Sequence, residues 1–220
     1  MNWPFGLLGR SKYGVIYADP AWKFKGYAKS GVPQRADQQH YKTMTVEEMA
    51  KLPVAHLAAP DCALLMWTTS SHLPQALKLG AAWGFKYSSK AFSWAKLNKH
   101  AQSKVDDQVI NGLASVPICP TEFDPDTDRI DLSDDINWFM GMGYTTRRNT
   151  EDCYLFTRGK PKVLDHGVRE LIVAPIREHS RKPDEAIERI ERLYGGPYCE
   201  LFGRTQRGGW SSWGNEVNKF

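Results

Sequence analysis

The stretch Gly14-Val-Ile-Tyr-Ala-Asp-Pro-Ala-Trp22 decides how the chain is read. Its first five residues run apolar without polar alternation, the pattern of a strand buried on both faces. Asp19-Pro20 stops the run, because a proline biases the residue before it towards extended backbone and brings no N–H of its own. An acid and an aromatic therefore stand directly after a buried strand. Outward from this point the patterns alternate. Thr45-Val-Glu-Glu48 has capping-box spacing and opens a helix to about Leu52. Cys62 to Thr69 reads as a buried strand, His72 to Gly84 places apolar residues at helical spacing, and Phe85 to Ala95 reads as a strand. Strand, helix and strand predict a right-handed crossover. Asp152 to Thr157 and Glu170 to Ala174 are further strands, and Tyr198 to Phe202 is the last. Between them Pro183 to Tyr194 reads as a helix, with proline in its first turn, Glu185/Arg189 and Glu188/Arg192 four apart, and Gly195-Gly196 as its stop. The expected fold is α/β: one domain over 1–220, a mostly parallel sheet with helices on both faces, and ligands beyond the carboxyl ends of its strands.

The 220 residues, 41 % hydrophobic and 25 % charged, can bury a sizeable core and exclude a disordered chain or a stapled miniprotein. No apolar run approaches the roughly 18 residues that span a bilayer, and Met1 to Arg10 lacks the features of a signal peptide, so a cytoplasmic protein away from membranes is expected. Cys62, Cys119, Cys153 and Cys199 form no CxxC and read as buried free thiols. His40, His56, His72, His100 and His166 show no metal-ligand spacing, and no metal is expected. The 29 basic and 25 acidic side chains give a net charge of +4 that is unevenly spread. Glu122 to Asp135 holds seven acids against Arg129, which leaves that stretch at −6 and the remainder at +10. Such a body suits a polyanion, with a mildly basic protein carrying a solvated acidic loop as the alternative. The acidic stretch lies within a polar insertion over about 97–142 that shows no sustained period. Its expected use is substrate recognition or a dimer contact; monomer and homodimer both stay open. Eight tryptophans exceed what the core needs, and base stacking would use some.

Asp19-Pro20-Ala21-Trp22 suits a planar exocyclic amine. Asp19 can accept one N–H, the Pro20 carbonyl the other, and Trp22 can stack on the ring. Drawing both N–H bonds towards acceptors favours a pyramidal nitrogen with its lone pair exposed, which stabilises the transition state beyond the ground state. A surface Asp-Pro turn with a half-buried tryptophan fits the same four residues.

The rest of the chain separates these readings. Asp19-Pro-Ala-Trp22, Tyr41-Lys-Thr-Met44, Phe92-Ser-Trp-Ala-Lys96, Asn149-Thr-Glu-Asp-Cys153, Arg177-Glu-His-Ser-Arg-Lys-Pro-Asp-Glu185, Glu200-Leu-Phe-Gly-Arg204 and Trp210-Ser-Ser-Trp-Gly-Asn215 follow one another in that order. In this the chain resembles the MT-A70 family of S-adenosylmethionine-dependent adenine-N6 methyltransferases, over nearly its whole length outside 97–142. The resemblance implies a Rossmann-like methyltransferase fold with permuted motif order, the catalytic motif preceding the cofactor motif. Asp19, Pro20 and Trp22 then fall in the catalytic motif, with Ala21 where the family has a second proline, so the stiffness of the loop is in question more than its chemistry. Tyr41, Lys96 and Glu151 match positions on the substrate side. For Tyr41 a hydrophobic staple ahead of the Thr45 helix is the structural alternative, and for Lys96 and Glu151 ordinary solvated charges are. On the cofactor side the resemblance implies Asp19, Lys182, Arg204, Gln206, Asn215 and Glu216: Lys182 for the carboxylate, Arg204 and Gln206 for the ribose, Asn215 and Glu216 around ribose and adenine. Relatives often carry glutamine at Glu216. His179 is expected to be structural. The implied activity is methyl transfer to adenine N6 in nucleic acid, favouring DNA. An RNA methyltransferase and a catalytically silent binding subunit of the same fold are the alternatives.

Overall fold

The computed structural model describes residues 3–22, 43–99, 138–141, 143, 145–178 and 181–214. Tyr41, Asn215, Glu216, His179, Cys119 and the acidic stretch from Glu122 to Asp135 lie outside the described residues. Seven strands form among the described residues: β1 (Tyr13–Ala18), β2 (Ala58–Thr68), β3 (Lys86–Leu97), β4 (Thr150–Arg158), β5 (Leu171–Pro175), β6 (Tyr198–Leu201) and β7 (Trp210–Trp213). The helices are α1 (Val46–Ala50), α2 (Leu73–Ala82) and α3 (Glu185–Leu193). Hydrogen bonding orders the strands β5-β3-β4-β2-β1-β6-β7. β1 runs parallel to both β2 and β6, and β3 to β5 and β6 to β7 are parallel as well, whereas β4 lies antiparallel to β2. The result is a mixed, mostly parallel sheet with helices, the α/β class that the alternating patterns predict.

The quoted stretch occupies the middle of this order. Val15, Ile16, Tyr17 and Ala18 are all buried, as a strand with neighbours on both edges requires. Thr45 caps α1 as its spacing predicts: the Glu48 N–H donates to Thr45 Oγ1 (3.2 Å) and the Thr45 N–H to Glu48 Oε2 (2.7 Å). The crossover from β2 through α2 to β3 skips one position in the sheet, which β4 fills. β7 is a strand that local pattern reading does not reveal.

By contacts the chain divides into two compact units, Met1–Phe92 with Asp152–Glu170 and Glu188–Phe220, and Ser93–Glu151 with Leu171–Ile187. The first holds a core of Phe5, Tyr13, Ile16, Met49, Leu57, Leu64, Met66, Trp83, Phe156 and Leu201. Its tryptophans act as pegs with a polar handle. Trp83 Nε1 donates to Met49 O (2.9 Å), Trp67 Nε1 to the Tyr17 hydroxyl (2.6 Å) and Trp213 Nε1 to Pro4 O (2.9 Å). In the second unit Trp94 Nε1 donates to Ala174 O (2.9 Å). Tryptophan is abundant here because the indoles join elements, each buried N–H finding an acceptor. Cys62, Cys153 and Cys199 are buried free thiols, and burial pushes Cys62 up to about 12.

α2 packs so closely that Gly80 is required. A Cβ there would stand 2.5 Å from Cε1 of Phe156, a ring with no exposure. Gly80→Ala gains roughly 1 kcal/mol of helix propensity and loses more to overpacking, for a net destabilisation of about 1–2 kcal/mol. The urea midpoint measures it; a raised midpoint would mean that the ring has room to move.

No described helix is long and apolar enough to cross a membrane, and no described cluster of three or more His, Cys, Asp or Glu side chains could hold a metal ion.

Candidate active site

β1 ends in a tight turn. The Trp22 N–H donates back to Pro20 O at 2.7 Å, a three-residue turn centred on Ala21. Ala21 is not among the residues with positive φ, so the turn is of the inverse, relaxed kind. Asp19, half-buried, gives its backbone N–H to Leu201 O (3.4 Å), which ties the loop to the end of β6. The register Ala18↔Leu201 places both strands' carboxyl ends side by side. Pro20 O still has a second lone pair for an incoming N–H. Met44 pairs with Trp22 and donates its N–H to Ala21 O (3.2 Å).

Trp22 is only 5 % exposed, donates Nε1 to Trp67 O (3.3 Å) and stacks on His72, with ring centroids 5.5 Å apart and planes 22° from parallel. These contacts anchor the loop into the core.

Beside the loop lies a polar group that the sequence reading passes over. Tyr17, Asp19 and Glu200 alternate onto one face, since Tyr17 pairs with Glu200 across the ladder. Burial, reinforced by the negative charge of Glu200 and Asp19, holds the Tyr17 phenol well above its ordinary range. It therefore stays protonated, accepts the Trp67 indole N–H and keeps its own O–H to donate. Glu200, 12 % exposed, faces Arg207 Nε at 3.8 Å. An acid inside the short buried strand Tyr198–Leu201 is the signal that could have singled it out. The following turn carries Arg204, half-buried, and Gln206, exposed. Gly203 donates its N–H to Trp213 O (3.1 Å), and a Cβ at Gly214 would collide with the Gly203 backbone, so the two motifs meet backbone to backbone.

In the second unit the structure joins residues that the sequence assigns to different halves of the site. Glu151 Oε2 accepts from Lys96 Nζ at 2.6 Å, and its Oε1 lies 3.1 Å from Lys182 Nζ. The three side chains are 12 %, 18 % and 8 % exposed, in the order Glu151, Lys96, Lys182. Burial alone would raise the Glu151 carboxyl; the ammonium groups of Lys182 and Lys96 outweigh it and hold the carboxyl below its ordinary value. The Lys96 ammonium also sits over the Trp94 ring at 4.7 Å and near Phe139 at 6.0 Å. A lysine beside a helix start is disfavoured by the dipole, and Glu151 is the partner that makes position 182 tolerable. The approach to α3 is fixed by ion pairs from Arg177 to Asp184 and from Arg181 to Glu178 and Asp184. Gly141 and Arg148 exchange backbone hydrogen bonds of 2.7 and 3.1 Å.

The sequence profile of the MT-A70 family matches residues 13–113 and 131–216, which include every motif described. The chain belongs to the MT-A70 family. The internal unmatched segment, 114–130, is narrower than the insertion read from composition. Among its MT-A70-type relatives is the Type II methyltransferase M.MunI of Mycoplasma sp, 28 % identical over 97 % of this chain and 81 % of that protein. The human N(6)-adenine-specific methyltransferase METTL4 is 28 % identical over 96 % of this chain and 39 % of its own length. The human N(6)-adenosine-methyltransferase catalytic subunit METTL3 is 26 % identical over 96 % of this chain and 29 % of its own. MT-A70 methyltransferases use S-adenosylmethionine. The side chains fit that group: ammonium, guanidinium, carboxamide and carboxylate functions are all present in the matched motifs, as a molecule with an amino-acid end and a ribose diol requires.

Proposed function

We propose that this chain transfers the methyl group of S-adenosylmethionine to the exocyclic N6 amine of adenine in DNA. The observation that carries the reading is the Asp19-Pro20 turn at the carboxyl end of β1, tied by backbone to the end of β6. When bound, the cofactor supplies an electrophilic methyl on a sulfonium. Asp19 accepts one N–H of the amine and the remaining lone pair of Pro20 O the other, which exposes the nitrogen lone pair for direct displacement. No cysteine lies in this loop, and no covalent enzyme intermediate is needed. Lys182 holds the cofactor carboxylate, with Glu151 fixing its ammonium in place. Arg204, Gln206, Asn215 and Glu216 take the ribose and adenine, and Tyr41 borders the target base. The base must be flipped out or already single-stranded to reach the loop.

The match to M.MunI, named a Type II methyltransferase and 28 % identical over 97 % of this chain, supports DNA. Two measurements test the proposal. Calorimetry should show the isolated chain binding S-adenosylmethionine, where a silent subunit would give no heat. Labelled methyl should then pass to DNA; label appearing in RNA alone would replace DNA as the substrate.

A further inference from the structure

The loop that carries Asp19 and Pro20 lacks the proline that would fix its third residue. Ala21 has ordinary backbone freedom, so something else must hold the turn in one conformation. Three contacts converge on the next residue. The Trp22 backbone pairs with Met44, its indole N–H reaches Trp67 O, and its ring lies against His72. Two of these use backbone atoms that any sequence would offer; the third depends on one side chain. That side chain is itself fixed. His72 Nδ1 lies 2.9 Å from Thr69 Oγ1 and 3.3 Å from Ser71 Oγ, and the His72 backbone N–H donates to Thr69 O at 2.8 Å. The imidazole thus stands at the start of α2 with its plane set by the Thr69-Ser-Ser71 turn after β2 and its face turned to Trp22.

We propose that His72 is a positioning residue for methyl transfer: by stacking on Trp22 it supplies the loop stiffness that a second proline at position 21 would otherwise give. The inference rests on Asp19-Pro20 being the reacting loop. His72 acts through Trp22, whose backbone N–H is bonded to the Pro20 carbonyl that receives the amine. The geometry also says that proline would be accepted at position 21. Ala21 does not have positive φ, the inverse turn needs φ near that of proline, and the Ala21 N–H enters no hydrogen bond among the described residues.

The test is a double-mutant cycle on the full chain: wild type, His72→Ala, Ala21→Pro and the double variant, each assayed for kcat and for KM towards S-adenosylmethionine and DNA. His72→Ala should lower kcat about tenfold with little change in either KM, since positioning rather than binding is lost. In the Ala21→Pro background the same substitution should cost no more than about twofold, because the proline already holds the turn. His72→Phe, which keeps a ring face for Trp22, should stay within about threefold of wild type. An equal loss in both backgrounds, or no loss on His72→Ala while Asp19→Ala is inactive, overturns the inference alone. Full activity of Asp19→Ala overturns the assignment of the loop, and this inference with it.

Discussion

Asp19→Ala should lower methyl transfer by about 10²–10³-fold, the usual cost of removing one hydrogen-bonding group aimed at charge that develops in a transition state. The carboxylate is the only charged group in the turn, and the substitution leaves the backbone bonds of the turn in place. The backbone bond from Asp19 N to Leu201 O and the turn bond from Trp22 N to Pro20 O both survive it. Loss of activity should therefore come with little loss of stability, which thermal unfolding can verify on the same preparation. Asp19→Asn is the sharper variant. It keeps size and one acceptor but replaces a charge with an amide whose NH₂ repels the amine's own N–H, so it too should lose most activity. A variant that retained wild-type turnover would remove Asp19 from the chemistry.

Glu151→Ala should destabilise the fold by about 3 kcal/mol, because breaking a buried ion pair from one side leaves its partners' charge uncompensated. Two ammonium groups would then stand together, Lys96 and Lys182, with side chains only 18 % and 8 % exposed. Activity should fall too, since Lys182 would lose the contact that fixes it. The pH dependence carries its own sign. The folded-state pKa of Glu151 is depressed, so the stability it contributes is fully present above the unfolded glutamate value of about 4.3 and is lost as pH falls through the lower folded value. The stability difference between wild type and Glu151→Gln, from urea unfolding, should hold steady near neutrality and shrink in acid. A difference below about 0.5 kcal/mol at neutral pH would mark the cluster as an ordinary solvated pair.

How much of this could be read from the chain depends on the range of the interaction. β1 and the capping box of α1 are local, and both are legible because burial pattern and cap chemistry sit within a few residues. β7 is not. Trp210-Ser-Ser-Trp213 is four residues long and becomes a strand only by pairing with β6. The antiparallel β4 between β2 and β3 is likewise a decision of tertiary pairing. In the site, the Asp19-Pro20 turn is legible because it follows a strand. The anchoring of Trp22 on Trp67 and His72 is not legible, since sequence does not say which face of an indole the core will cover. Lys96, Glu151 and Lys182 are each visible, but their convergence on one carboxylate is not, because it joins three separate segments. Glu200 and Tyr17 are passed over for the same reason: only the β1–β6 register brings them together.

The central claim is that this chain methylates adenine at N6 through Asp19. The most direct test is nucleoside mass spectrometry after incubation with labelled S-adenosylmethionine and double-stranded DNA, single-stranded DNA or RNA, run in parallel for wild type and Asp19→Ala. The account predicts labelled N6-methyl-2′-deoxyadenosine from wild type with DNA, and its near-absence from the variant. Label on any other atom or base, or equal product from both proteins, would contradict it.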